Sequence, residues 1–298
     1  MEPMMPSSNA ELEDLSLELV QKNSKLSAKL HPIVRLSIAD LVRSMNCYYS
    51  NFIEGHDTRP IDIDRALNKE FSSKPEQRQL QEEAVAHIAV QGMIDKGEDI
   101  EADPLTKEYV MWLHNEFCLR LPDEFLWVED EAGKKIQVIP GKFRENHVQV
   151  GMHIPPAHNE LDEHMKRFAE AYSPKVLNKS KRIIAAAAAH HRLLWIHPFV
   201  DGNGRVARLM SYAILLKLDT GNSLWSVARG LARNEAEYKK LLQQADANRQ
   251  GDHDGRGNLS EQGLVLFCKF FLETCIDQID YMYKLLKADE LLGRIELY

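Results

Sequence analysis

With 298 residues and a formal net charge of −8, the chain can bury a substantial core and does not read as a broadly nucleic-acid-binding protein. Its four cysteines (Cys47, Cys118, Cys268, Cys275) form no CxxC pair and mostly sit in apolar helical contexts, which fits reduced core thiols. No apolar run reaches the ~18 residues that span a bilayer, and Met1 to Asp14 is acidic with no apolar centre, so a cytoplasmic protein without membrane span or secretory signal is expected.

Residues 1 to about 15, with Pro3, Pro6, Ser7, Ser8 and Asn9, read as a weakly held start. Helices are expected over Ala10–Leu30 and from Pro32 to about Phe52, the second with Ile33, Leu36, Ile38, Leu41, Val42 and Met45 at helical spacing. It leads into Ser50-Asn-Phe-Ile-Glu54-Gly55, which alone reads as a solvated Glu before a helix-ending glycine. Thr58-Arg59-Pro60 is a turn, Asp62 to Ala66 a short helix start, and Glu82 to Lys96 a helix with Ala84, Val85, Ile88, Ala89 and Met93 on one side. Pro104 sits near the entry of a helix over Leu105–Leu119.

From Phe125 to Pro155 the texture changes. Gly133, Pro140, Gly141 and Gly151 punctuate alternating stretches (Ile136-Gln-Val138-Ile, Val148-Gln-Val150), which reads as a β-hairpin in an otherwise helical chain. After a helix around Glu160 to Ala171 comes an apolar, alanine-rich helix over Ile183–Ile196. Pro198 disfavours the α conformation at His197, so that helix should stop there. A further helix is expected over Val206–Leu218. His190 and His191 point about 100° apart and accompany no HExxH, so structural roles are favoured over metal binding.

Between the two helices lies His197-Pro-Phe-Val-Asp-Gly-Asn-Gly-Arg-Val-Ala-Arg208. Gly202 and Gly204 permit the positive φ that aligns successive amides into a nest, and the following helix adds its positive dipole end. Arg205 and Arg208 are spaced to share a helix face and reach a phosphate chain. Asp201 is a hard oxygen ligand suited to Mg²⁺, and His197 is the group here that takes a proton near neutral pH. Together they point to phosphoryl or nucleotidyl transfer from a nucleoside triphosphate. Gly202-Asn-Gly-Arg-Val-Ala207 also satisfies a literal GxGxxG/A, but a helix precedes it where a dinucleotide fold needs a strand. No P-loop occurs.

Ser226 to Ala247 is expected to be one helix. Gly251-Asp-His-Asp-Gly-Arg-Gly-Asn258 mimics a calcium loop but places Arg256 and Gly263 where ligands are needed, so a tight turn capped by Asn258 with Glu261 is expected instead. The last helix should run from Gln262 to about Leu292, with Leu264, Phe267, Phe271, Cys275, Ile279 and Met282 as a core stripe.

The central stretch resembles the Fic family motif HxFx[D/E]GNGRxxR at every specified position. The resemblance implies a mainly α Fic fold with a small β-hairpin flap (about 133–156), and transfer of AMP from ATP to a Ser, Thr or Tyr hydroxyl of a target protein, the chain itself included. By the family pattern His197 deprotonates the hydroxyl, and Asp201 holds Mg²⁺ (or Mn²⁺) against the α- and β-phosphates. Gly202, Asn203 and Gly204 cradle phosphates with the adjoining Val206 and Ala207, and Arg205 and Arg208 bind the β/γ end. Ser50, Glu54 and Gly55 resemble the family's inhibitory [S/T]xxxE[G/N], on a helix of about residues 33–55. Glu54 would then pair with Arg208 where the γ-phosphate belongs. Gly141-Lys-Phe-Arg144 and Val150-Gly-Met-His153-Ile-Pro-Pro156 resemble the flap pattern, which implies target docking by strand addition and places Val150, Gly151, Met152 and His153 on the nucleotide pocket. Tyr238 would contact the adenine ring and Asp246 the base edge.

The expected layout is an N-terminal helical region (1–100), a core with flap and motif (101–250) and a C-terminal helical segment (251–298). Relatives so arranged often continue into a winged-helix module, which the sequence to Tyr298 lacks. Within the family the same site also moves phosphate, UMP or phosphocholine, or removes AMP. Outside it, a nucleotide-binding module without turnover is the alternative. No membrane or nucleic-acid partner is expected. Homodimerisation and target docking are both open as the trigger that moves Glu54.

Overall fold

A computed structural model describes residues 1–56, 58–129 and 133–286. Among them the chain is mainly helical, with a single two-stranded antiparallel hairpin. The helices are α1 (Ala10–Ala28), α2 (Pro32–Ile53), α3 (Pro60–Leu67), α4 (Pro75–Lys96), α5 (Lys107–Cys118), α6 (Leu161–Ala171), α7 (Lys179–Ile196), α8 (Asn203–Lys217), α9 (Val227–Arg233), α10 (Glu235–Asp246) and α11 (Glu261–Leu285). The expected continuation of the last helix to Leu292, and the end at Glu296 to Tyr298, lie outside the described residues, as does Asp57.

The centre is α7. Ala185 to Ala189 are fully buried, and with no side-chain bulk they let α1, α8 and α11 pack closely around the helix. Phe168, Tyr172, Phe267 and Phe271 fill the surrounding space. On the other side of α8, α2 lies across α4 and α9, so its C-terminal end meets the start of α8. The four cysteines are buried and free.

Several local expectations are corrected. The N-terminal residues are held rather than frayed: Met4 is buried, and Tyr172 donates to its carbonyl (2.6 Å). Buried Arg192 donates to the Pro3 carbonyl (2.7 and 3.1 Å), and Glu2 exchanges hydrogen bonds with Asn258. These backbone acceptors answer a guanidinium that has no carboxylate partner among the described residues. Helix α4 starts earlier than expected, at Pro75, and α8 starts at Asn203. The segment from Ser226 is broken at Asn234, whose side chain donates to the Gly230 carbonyl (3.0 Å) and so competes with the helical ladder.

The hairpin pairs β1 (Trp127–Glu129) with β2 (Lys135–Gln137), upstream of the alternating Val148-Gln-Val150. That stretch forms no strand; Val150 and His153 make one isolated bridge around Gly151, in left-handed conformation. On either side of it Arg144 takes the carbonyls of Asn146 and Pro156, and the His153 side chain bonds the Trp195 carbonyl at the α7 C-terminus. Ser260, not Asn258, caps α11, through the Gly263 N–H (3.0 Å). Asn258 is occupied by Glu2, and the carboxylate organising the turn is Asp254, which accepts from the Gln250 and Gln262 N–H groups and the Ser260 hydroxyl.

Candidate active site

The site is the junction of α7 and α8. His197 closes α7 in left-handed conformation (φ 48°, ψ 61°), its N–H still bonded to the Leu193 carbonyl. The chain turns over buried Phe199, which stacks on His114 of α5 with ring centroids 3.9 Å apart. Asn203 clasps the turn: its Oδ1 accepts from the Phe199 N–H and its amide donates to the Phe199 carbonyl, both at 2.9 Å. Gly202, at φ 80°, starts α8 without a side-chain cap. The first amide with an intrahelical partner is that of Val206, bonded to the Gly202 carbonyl. The N–H groups of Asn203, Gly204 and Arg205 therefore open the helix toward an anion.

A carboxylate lies beside this helix start. The Glu54 Oε1 is so close to Gly204 that a Cβ at that position would overlap it. Glu54 pairs with Arg208, whose Nε donates to the Ser50 hydroxyl (2.8 Å) and Nη2 to the Ser50 carbonyl (3.2 Å). Burial raises the Glu54 carboxyl, but the charges of Arg208 and Arg205 outweigh it and hold the group below its ordinary range. Gly55 takes φ 82° with open space around it, so it serves the turn rather than a close contact.

Arg205 is 5 % exposed and does not share an open face with Arg208. It pairs with Glu83 of α4 (2.6 Å) and packs over the Phe117 ring. His197 is half-buried and pushed down to about 4, first by burial and then by the charges of Arg144 and His153, with the Leu194 carbonyl pulling the other way. At neutral pH its ring is therefore free to accept a proton. Asp201 is exposed at the apex of the turn.

The other expected residues divide. Gly151 and Met152 are exposed, and His153 anchors its turn to the α7 C-terminus through the Trp195 carbonyl (2.8 Å). The Asn203 side chain is spent on the clasp. The Val206 and Ala207 side chains face the core, so these residues offer no side-chain contact to a ligand. The Tyr238 ring is buried behind Arg208; its hydroxyl bonds His190 (2.8 Å), which in turn bonds Ser211 (2.9 Å), so it backs the arginine instead of lining an open pocket. The Asp246 carboxylate is taken up by His191 (3.0 Å). His190 and His191 are thus each hydrogen-bonded within the core.

Three residues with no assigned part shape the site. Arg144, buried, donates to the carbonyls of His197 (2.8 Å), Asn146 (2.9 Å) and Pro156 (2.6 Å), and its N–H bonds the Pro198 carbonyl. His114 accepts from the Gly141 N–H (2.9 Å) and faces the Asp201 carbonyl. Glu83 holds Arg205. Only Arg144 lay in a stretch that had drawn notice; the other two sit on helices with no local motif.

Residues 104–215 match the family model described as Fic/DOC family. A protein named protein adenylyltransferase Fic from Nematostella vectensis is 29% identical over 180 residues, covering 57% of this chain and 36% of that protein. One of the same name from Drosophila mojavensis is 44% identical over 77 residues, 26% of this chain and 15% of that protein. The matches thus span well under half the length of these curated relatives. Among solved structures, a Fic family protein from Desulfovibrio desulfuricans G20 superposes with a TM-score of 0.68 at 16% identity, over 94% of this chain and 76% of that one. A Fic domain containing signaling protein from Bacteroides thetaiotaomicron VPI-5482 gives 0.67 at 20% identity, over 91% and 96%. Fic-1 from C. elegans gives 0.69 at 16%, over 94% and 74%. The α7–turn–α8 junction therefore lies within the stretch, residues 104–215, that matches the Fic/DOC family model, in a chain with the Fic fold.

Proposed function

We propose that the chain transfers AMP from ATP to a hydroxyl of a protein, and that the form described is its restrained state. The acceptor oxygen attacks the α-phosphorus, a new O–P bond forms, and the bond to the bridging oxygen breaks with loss of pyrophosphate. The hydroxyl proton passes to His197, neutral near pH 7 and set beside the helix start. The open N–H groups of Asn203, Gly204 and Arg205, with Arg208, offset the charge of the phosphates. The exposed backbone of the hairpin is the proposed docking edge for an extended target segment.

Among the described residues no group of three or more His, Cys, Asp or Glu could hold a metal ion. That donor set still fits Mg²⁺ or Mn²⁺ brought with the nucleotide, since such an ion binds through one carboxylate plus phosphate oxygens and water, and Asp201 is an exposed carboxylate in the turn. Such an ion would neutralise phosphate charge.

One observation carries the reading: the Glu54 carboxylate lies against Gly204 at the start of α8 and pairs with Arg208 at once. An internal carboxylate set against a helix start is expected where a polyphosphate must be kept out or held askew. The test is label transfer from α- and γ-labelled ATP to protein by Glu54→Gly, with and without His197→Ala. Label from the α position alone, lost with His197→Ala, supports the proposal; label only from the γ position replaces it with a kinase-like reaction. The Glu54 side chain is one-third exposed, which favours a second reading in which it orients water to release AMP from a modified protein. Loss of label from an AMP-modified target with the unaltered chain, and not with Glu54→Gly, would support that instead.

A further inference from the structure

We propose that His56 is a second fastener of the inhibitory segment, joining it to the domain through Glu83 and Arg205, independently of the Glu54–Arg208 pair. The inference rests on the restrained state proposed above.

His56 lies just beyond Glu54 and Gly55, in the turn that closes α2. Its Nδ1 is 2.8 Å from the Glu83 Oε2, and the same oxygen accepts from the Arg205 Nη2 at 2.6 Å. The carboxylate has no proton to give, so the imidazole N–H donates, and Glu83 becomes the shared acceptor of the segment and of α8, which also meet at Arg208 and where the His56 Nδ1 lies 2.9 Å from the Arg205 Nη2. Both side chains of the Glu83–Arg205 pair are almost wholly buried, so a hydrogen bond onto it is charge-assisted and poorly screened. Gln79 steadies the other oxygen of Glu83 (3.3 Å).

The rest of the α2 seat explains why such a fastener matters. Asn51 Oδ1 and Thr58 Oγ1, on either side of the turn, are buried without partners among the described residues, as are both ring nitrogens of His87 and the Nε of Arg205. An interface this polar and this incompletely bonded gains little from closing, so the segment is held chiefly at its explicit contacts. At the C-terminal end of α2 those contacts are Glu54 and Ser50 on Arg208, and His56 on Glu83; farther up the helix Asn46 bonds Gln91 and Ser226 (both 2.6 Å) and Arg43 pairs with Asp95 (2.6 Å). When the segment leaves, Glu83 keeps Arg205 in place, and the arginine stays fixed for its other task.

The direct test is hydrogen exchange on the full chain. His56→Ala is expected to speed exchange of amides between Asn51 and Thr58 about tenfold, with α7 and α8 unchanged. His56→Gln, which keeps a donor, should restore most of the protection. Unchanged exchange in His56→Ala would overturn the proposal, as would failure of the glutamine to restore protection. The functional test is epistasis in label transfer from α-labelled ATP. His56→Ala should raise transfer in the presence of Glu54 and add nothing to Glu54→Gly, because the segment is already free. A full additive gain in the double variant would place His56 outside the restraint. If Glu54→Gly itself raised no transfer, the restrained-state reading would fail while the exchange result still decided whether His56 fastens the segment.

Discussion

Glu54 and Gly204 are in such close contact that the helix start has no room for a side chain while the carboxylate is present. The Glu54 carboxylate is the free end of a flexible chain, so an added methyl at position 204 displaces it rather than distorting α8. Gly204→Ala should therefore cost about what Glu54→Gln costs, roughly 1–3 kcal/mol given partial exposure of the pair. Combining the two should cost little more than either alone. Urea denaturation of the four proteins gives the cycle; additive losses would mean that the contact does not couple them.

Four histidines should set the acid limit of stability. His87 and His190 are pushed down to about 3, and His114 and His197 to about 4, in each case chiefly by burial. Their folded values lie below the ordinary unfolded value, so the unfolded chain takes up protons first as pH falls. Stability should be level above about pH 7 and decline below about pH 6.5, by up to about 1.4 kcal/mol per pH unit for each histidine. Glu54 and Glu83, both held low against burial by nearby cations, add to the loss at more acid pH. A urea midpoint that stayed level to about pH 5 would contradict neutral burial.

Arg144 should act on His197 in two separable ways. Its guanidinium secures the His197 and Pro156 carbonyls, and its charge lowers the imidazole. Arg144→Gln, tested with Glu54→Gly, is expected to reduce transfer about a hundredfold through misplacement of the base. It should also shift the acid limb of the kcat profile upward. Arg144→Lys keeps the charge but not the forked bonding, so the limb should stay while the thermal midpoint falls. Equal limbs in all three proteins would remove the electrostatic part.

Deleting residues 1–5 should destabilise the chain by roughly 3–5 kcal/mol, because Arg192 would remain buried with its main acceptors gone. Adding Arg192→Met to the deletion should recover part of the loss. Thermal unfolding of the deletion with and without that change checks both signs.

The turn between α7 and α8 was readable because its residues are local: glycines, a helix start and two arginines fall within twelve consecutive residues. Helix positions followed from apolar spacing for the same reason. What escaped was long-range. Glu83 and His114 carry no mark in their own helices, since their partners lie on α8 and in the turn before it. Alternation at Val148 to Val150 suggested a strand, but a strand needs a partner edge, and Arg144 had claimed the neighbouring backbone. The N-terminal residues looked loose because nothing nearby reveals that a buried arginine needs their carbonyls. Tyr238 was placed beside a nucleotide by resemblance, and its aromatic ring gave no clue that its hydroxyl would bond His190.

Ala185 to Ala189 have no chemistry of their own, yet they set the aim of the whole site. A single inserted or deleted residue there would swing His197 by about 100° around the axis of α7. A single larger side chain would push the helix off its neighbours, since five methyl groups leave no slack to absorb it. Substitution scanning should thus find this bland tract as intolerant as the histidine it carries. Its tolerated variants should be confined to glycine and serine, the two residues that match its girth.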